Sequence, residues 1–113
     1  MPVYELRTYR IASGGMPTVE RIFRELVAPM LSDYAMKGIG FWASADDTTL
    51  YYIVEHESET VIQENWDRFH ADPRWQPGLA EREHGKSAVT HTESVPLRGI
   101  DGLSPIGGAS REM

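Results

Sequence analysis

From Val3 to Ile11 the chain alternates in polarity and is rich in β-formers, which predicts a first strand. Ala12-Ser13-Gly14-Gly15 predicts a turn. Pro17 suits the first position of a helix, where a missing N–H has no partner in any case. Val19, Ile22, Phe23, Leu26, Val27, Met30, Leu31 and Tyr34 then recur at three- and four-residue steps, the apolar stripe of a first helix. Pro29 removes one helical bond inside that stripe and crowds the Glu25 carbonyl, so a kink is expected. Gly38 is placed to end the helix as a left-handed cap. Ile39 to Ala45 and Leu50 to His56 read as strands two and three, joined by a hairpin loop through Asp46-Asp47-Thr48-Thr49. Ser58 or Thr60 is placed to cap a second helix, Thr60-x-x-Gln63 has capping-box form, and Ile62, Trp66 and Phe69 supply the apolar face. Asp72-Pro73 stops that helix, because a residue before proline avoids the α region. Asp72 is then placed to cap a short turn holding Trp75, which Pro77 is expected to interrupt. Leu79 to His84 reads as a last helical piece ending at Gly85, and Ser87 to Val95 as strand four.

The order β-α-β-β-α-β predicts an α+β protein, a ferredoxin-like antiparallel sheet with both helices on one face, over residues 1–95. Residues 96–113, with four glycines and two prolines, form a tail that is either a loose end or an arm clasping a partner subunit. Successive strand residues point to opposite sides. Trp42, Tyr51 and Ile53 therefore cannot all share the helix side with Phe41, Tyr52 and Val54. Both sheet faces are partly apolar, which predicts a homodimer through the face the helices leave open.

The 113 residues allow one domain, and a net charge of -6 with scattered cations argues against nucleic acid. The chain has no cysteine, which removes disulfides and thiolate chemistry and fits a reducing, cytoplasmic setting. No signal peptide and no membrane span are expected. Gly38-x-Gly40-x-x-Ala43 has the letters of a dinucleotide fingerprint but follows a helix and opens a strand, the reverse of what the pyrophosphate needs. Glu81-x-x-His84 is half of a di-iron motif with no second half. No cofactor and no metal are expected.

Glu5 and Arg7 are the sharpest pair. Two apart on a central strand, they share a face with Val3, Tyr9 and Ile11. Charges there must be paired, hydrated or turned to a polar cavity. They read either as an interfacial salt bridge setting dimer register, or as the polar anchor of a ligand cavity. Trp42, Trp66 and Trp75 are candidates to wall such a cavity, or simply core. His56 and His91 lie on strands where each reads either as an acid or base facing a cavity, or as a hydrogen-bonded structural histidine. His70 reads as a surface residue.

The segments Tyr4-Glu5-Leu6-Arg7-Thr8-Tyr9, Gly40-Phe41-Trp42, Phe69-x-x-Asp72-Pro73-x-Trp75 and Ser104-Pro105, with Pro29 late in the first helix, resemble the NIPSNAP family. The resemblance implies a dimeric α/β barrel, in which two ferredoxin-like sheets pack face to face. That superfamily includes cofactor-independent monooxygenases and haem-degrading enzymes, while NIPSNAP relatives have no settled reaction. Three functions are therefore carried forward: a homodimeric protein binding a small apolar or aromatic ligand, a cofactor-independent monooxygenase or isomerase acting on an aromatic or polyketide-like substrate, and a non-catalytic interaction module. Whether the chain is an enzyme is open at this level.

Overall fold

A computed structural model describes residues 2–104. Its elements are β1 (Val3–Ile11), α1 (Met16–Ile22), α2 (Ala28–Leu31), β2 (Lys37–Ala43), β3 (Thr49–His56), α3 (Ile62–His70), α4 (Trp75–Glu83) and β4 (Val89–Leu97). The strands form one antiparallel sheet in the order β2-β3-β1-β4, the ferredoxin-like arrangement. β1 is central, pairing Glu5 with Val54 and Arg7 with Tyr52 on one side, and Glu5 with Pro96 and Arg7 with Ser94 on the other.

The core lies between the sheet and the helices. Val19, Met30, Leu31, Tyr52, Val54 and Phe69 are each at most 2% exposed there. The expected kink takes the form of a π-helical turn, Phe23–Val27, between α1 and α2, in which the Ala28 N–H reaches back to the Phe23 carbonyl. The wider turn falls just before Pro29 and eases the crowding its ring would impose on the preceding turn. The helical segment ends earlier than expected. A 3-10 turn, Ser32–Tyr34, leads to Ala35 in the left-handed region at φ 59°. Ala35, not Gly38, is the cap, because stopping there buries Met36 in the core.

Gly38 and Gly40 instead lie within β2. A Cβ on Gly38 would meet the Phe41 ring and Leu31 at 3.0–3.2 Å, and one on Gly40 would come within 2.6 Å of the Trp42 indole. Both glycines thus make room for a large neighbour. The third helical piece is longer than expected and starts at Trp75. Pro77 does not interrupt it, because a proline in the first turn forfeits no intrahelical bond. The capping box does not form either: a 3-10 turn, Glu59–Val61, precedes α3, and Gln63 bonds Asp67 instead. β4 runs two residues past Val95 to Leu97. Residues 105–113 of the tail, on which its reading as a loose end or an arm rests, lie outside the described residues.

The face opposite the helices carries Leu6 and Thr8 of β1, Trp42 of β2, Tyr51 and Ile53 of β3, and Val95 and Leu97 of β4, as the register requires. Trp42 is 53% and Val95 50% exposed. The middle of this face is apolar, with His91 and Glu93 toward the β4 edge, and no helix among the described residues covers it.

Candidate functional site

The alternation of β1 sends Glu5, Arg7 and Tyr9 toward the helices, away from the open face. There they form one network with residues from β3, α3 and β4. Glu5 is 1% exposed, yet its carboxylate accepts four hydrogen bonds. Oε1 takes the Trp66 Nε1–H at 2.8 Å and His56 Nε2 at 2.8 Å. Oε2 takes Arg7 Nη1 at 2.7 Å and the Ser94 hydroxyl. Burial works to raise the Glu5 pKa, but the bonds from His56, Ser94 and Trp66 and the charge of Arg7 outweigh it, bringing it down to about 2. Glu5 is therefore an ionised anchor near neutral pH, and too weak a base to remove a proton from carbon.

His56 is equally committed. Asn65 Nδ2 lies 3.0 Å from its Nδ1, and Arg68 donates to Asn65 Oδ1 at 2.9 Å. The guanidinium fixes the amide orientation, so Asn65 donates to Nδ1 and the Nε2–H of His56 donates to Glu5. Both ring nitrogens are used, which makes His56 a buried positioning residue with no room for a substrate proton.

Arg7 is held from three directions. Its Nε donates to the Tyr52 hydroxyl at 2.9 Å, Nη1 to Glu5, and Nη2 to the Tyr9 hydroxyl at 3.1 Å. Its Cζ stands 4.3 Å from the centre of the Trp66 ring, a cation–π contact. The side chain is 12% exposed, and what it meets is a cavity of about 280 Å³ between sheet and helices. Arg7, Tyr9 and Tyr52 line its sheet side, Trp66, Phe69, His70, Trp75 and Leu79 its helix side, and Val19, Ile22, Phe23 and Val27 its apolar wall. Two larger depressions, of about 420 and 670 Å³, lie along the β2 side of the molecule; among the described residues His56 alone of this network lines either, the second of them.

The structure thus divides the residues singled out from sequence. Glu5, Arg7, Tyr9, His56, Trp66 and Trp75 come together under the helices. Trp42 and His91 do not join them. His91 is on the open face with its side chain 59% exposed and Nε2 bonded to Glu93 at 3.0 Å, because strand parity in β4 sends Thr92 and Ser94 inward. Of its two sequence readings, pocket or dimer interface, the pocket is thereby removed for His91. Nor does the Glu5–Arg7 bridge touch the open face, so it cannot set register there.

His70 is exposed, as its reading from sequence has it, and it also lines the cavity. One helical turn after Trp66, it stacks on that indole with centroids 5.8 Å apart and lies 5.4 Å from Trp75. Partial desolvation, then the charge of Arg7, lower its pKa, with Asp67 opposing. Neither ring nitrogen has a hydrogen-bond partner among the described residues. Tyr52, Asn65 and Ser94 were also invisible from sequence. The i, i+4 spacing of Trp66 and His70 was the one readable signal.

Asp72 closes the far side. It accepts from the Arg74 backbone and guanidinium and from the Tyr34 hydroxyl, and these bonds hold its carboxyl well below the usual range. They tie the start of α4, and with it Trp75, to the end of the first helical segment.

The NIPSNAP family model matches residues 4–98. The chain belongs to the NIPSNAP family. A search of curated proteins gives no match. Among solved structures, a NIPSNAP family protein from Agrobacterium tumefaciens superposes with a TM-score of 0.77 at 20% identity, covering 94% of this chain and 99% of that one. Another from the same organism, described as of unknown function, gives 0.76 at 20%, covering 93% of each chain. A monooxygenase of Streptomyces coelicolor in complex with nanaomycin D gives 0.63 at 18%, covering 91% of each. At these identities the likeness establishes the fold alone, the four-stranded antiparallel α+β arrangement described above.

Stability should fall in acid through Glu5. Its folded pKa lies below the ordinary 4.5, so the unfolded chain binds the extra proton first. The contribution is complete above about pH 4.5 and is lost as the pH falls toward about 2. A shift of this size corresponds to about 3 kcal/mol. Urea midpoints measured from pH 6 down to pH 3 should decline steeply below 4.5 and much less in a Glu5→Gln variant.

Proposed function

We propose that this NIPSNAP protein is a homodimer that binds a small apolar or aromatic molecule in the cavity between its sheet and helices. The observation that carries the binding role is the conjunction of an apolar, aromatic-walled space with a preorganised polar floor at Arg7 and Tyr9. Binding sites have this make-up, whereas a packed core fills such space with side chains. A filled interior would have supported the interaction-module reading instead. The open apolar face, with Trp42, Tyr51, Val95 and Leu97 exposed, supports pairing with a second copy sheet to sheet. A thermal-shift screen of hydrophobic aromatic metabolites tests the binding role. A true ligand at about 100 times its Kd adds about 2.7 kcal/mol, several degrees in Tm. A broad screen that moves no melting temperature would argue strongly against it.

A second reading, cofactor-independent oxygenase or isomerase, is favoured by one observation, the His70 imidazole at the cavity with no hydrogen-bond partner among the described residues. A base so placed is suited to take a proton from a bound ring substrate. In this reading the protein accelerates deuterium exchange beside the carbonyl of an aromatic ketone such as 2-tetralone, followed by NMR. His70→Ala should cut that acceleration by ~10²–10⁴, the usual worth of a general base. Exchange no faster than in buffer would remove this reading and leave binding intact.

A further inference from the structure

The proton inventory of the cavity floor points to the ligand's chemistry. Tyr52 is 1% exposed, and its hydroxyl already accepts from Arg7 Nε. Its own proton must have an acceptor, because an unpaired buried donor is costly. The Tyr9 oxygen, 2.9 Å away, is the one in reach. Tyr52 therefore donates to Tyr9. Burial pushes the Tyr52 phenol well above its ordinary range, so that proton stays in place.

Tyr9 then accepts from both Tyr52 and Arg7 Nη2, and its own O–H has no acceptor among the described residues. Tyr9 lines the cavity, so the proton is directed into it. Arg7 has five N–H groups and uses three, leaving one on Nη1 and one on Nη2. The floor thus offers up to three donors and no acceptor.

Donors alone do not separate a carboxylate from a carbonyl, but the charge balance does. The Arg7 charge is already matched by Glu5 at 2.7 Å. The other ionisable groups on the lining are His70, Glu83 and the two tyrosines. Glu83 adds negative charge at the far end, where its Oε2 holds the Ala88 N–H at 3.1 Å. An incoming carboxylate would be one more anion among apolar walls with no free cation to meet it. A neutral oxygen meets the same donors without that cost.

We infer that the cavity selects a neutral aromatic carbonyl compound, its oxygen received by the free N–H groups of Arg7 and the hydroxyl of Tyr9. This rests on the binding role proposed above. A volume near the lower end of the ~300–1,000 Å³ range of ligand sites suits a system of one or two fused rings. Trp66, Phe69 and Trp75 offer the aromatic faces and edges against which it packs.

Three naphthalenes of one shape separate the alternatives: 2-acetylnaphthalene, 2-naphthoate and 2-isopropenylnaphthalene, titrated at pH 7 by calorimetry. The ketone should bind about tenfold or more tighter than either other compound, the worth of a hydrogen bond to a charged donor. The infrared carbonyl stretch of the bound ketone should lie below its value in hexane, a readout that needs no variant. Tyr9→Phe should weaken ketone binding severalfold and move the bound stretch part of the way back toward its hexane value, because the Arg7 N–H groups remain. Equal affinities with an unshifted stretch would overturn the carbonyl assignment while leaving the binding site standing. Tightest binding of the naphthoate would overturn the charge argument. Binding of none of the three, and of nothing in the thermal screen, would instead bring down the binding role itself.

Discussion

Glu5→Gln is expected to cost about 3–5 kcal/mol of stability, the usual price of breaking a buried pair by removing one partner. The substitution is nearly isosteric, so packing hardly enters. A glutamine has one acceptor oxygen where Glu5 has two, and four donors converge on it. If its oxygen serves His56 and Trp66, its NH₂ confronts the Arg7 guanidinium. If it turns to Arg7, the Trp66 and His56 N–H groups are orphaned. Either way Arg7 keeps its charge without a counter-ion at 12% exposure. Urea unfolding should show a lower midpoint with an unchanged slope. Arg7→Met in the same chain should restore part of the loss, because the unpaired charge goes with it. A cost under about 1 kcal/mol for the single variant would mean that water reaches the pair, and that the network is not the rigid floor described above.

Ile53→Glu should convert a dimer into a monomer. Ile53 lies near the middle of the open face, between Leu6 on β1 and Gly40 on β2. In a two-fold sheet-to-sheet interface each copy brings the same surface, so one substitution introduces two carboxylates. Each loses its water on assembly without gaining a cation, at several kcal/mol apiece. In the isolated chain the same residue faces solvent, away from the core and the cavity, so the fold is retained. Sedimentation velocity at micromolar concentration should give a dimer for the wild type and a folded monomer for the variant. A wild-type monomer would refute sheet pairing. A variant that stays dimeric would place the interface elsewhere.

The elements were legible wherever periodicity spoke. β1 falls where its alternation puts it, and the apolar stripe from Val19 to Tyr34 marks a helical segment that packs as expected. The misplacements share a cause, the priority of tertiary burial over local signals. Gly38 has every mark of a cap, but burying Met36 ends the helix at Ala35. Pro77 looks like a breaker and turns out to sit in a first turn. The site was half legible. Parity along β1 groups Glu5, Arg7 and Tyr9, but which sheet face they share is set by the register of strands 40 or more residues away. For the same reason Ser94, Tyr52 and Asn65 could not be found by spacing. His70 could have been found, since it follows Trp66 by one helical turn.

The proposed arrangement turns the charged floor of β1 to a ligand cavity beneath the helices and leaves the opposite face of the sheet to a second copy. Crystals soaked with 6-bromo-2-acetylnaphthalene and measured at the bromine absorption edge test it directly, since anomalous scattering locates the bromine without reference to any prior structure. The predicted result is one strong peak per chain inside the space bounded by Trp66, Trp75 and Leu79, with the acetyl oxygen turned to Arg7 and Tyr9. A peak lying between two sheets at Trp42 and Tyr51, or no ordered bromine in a well-diffracting crystal, would contradict it.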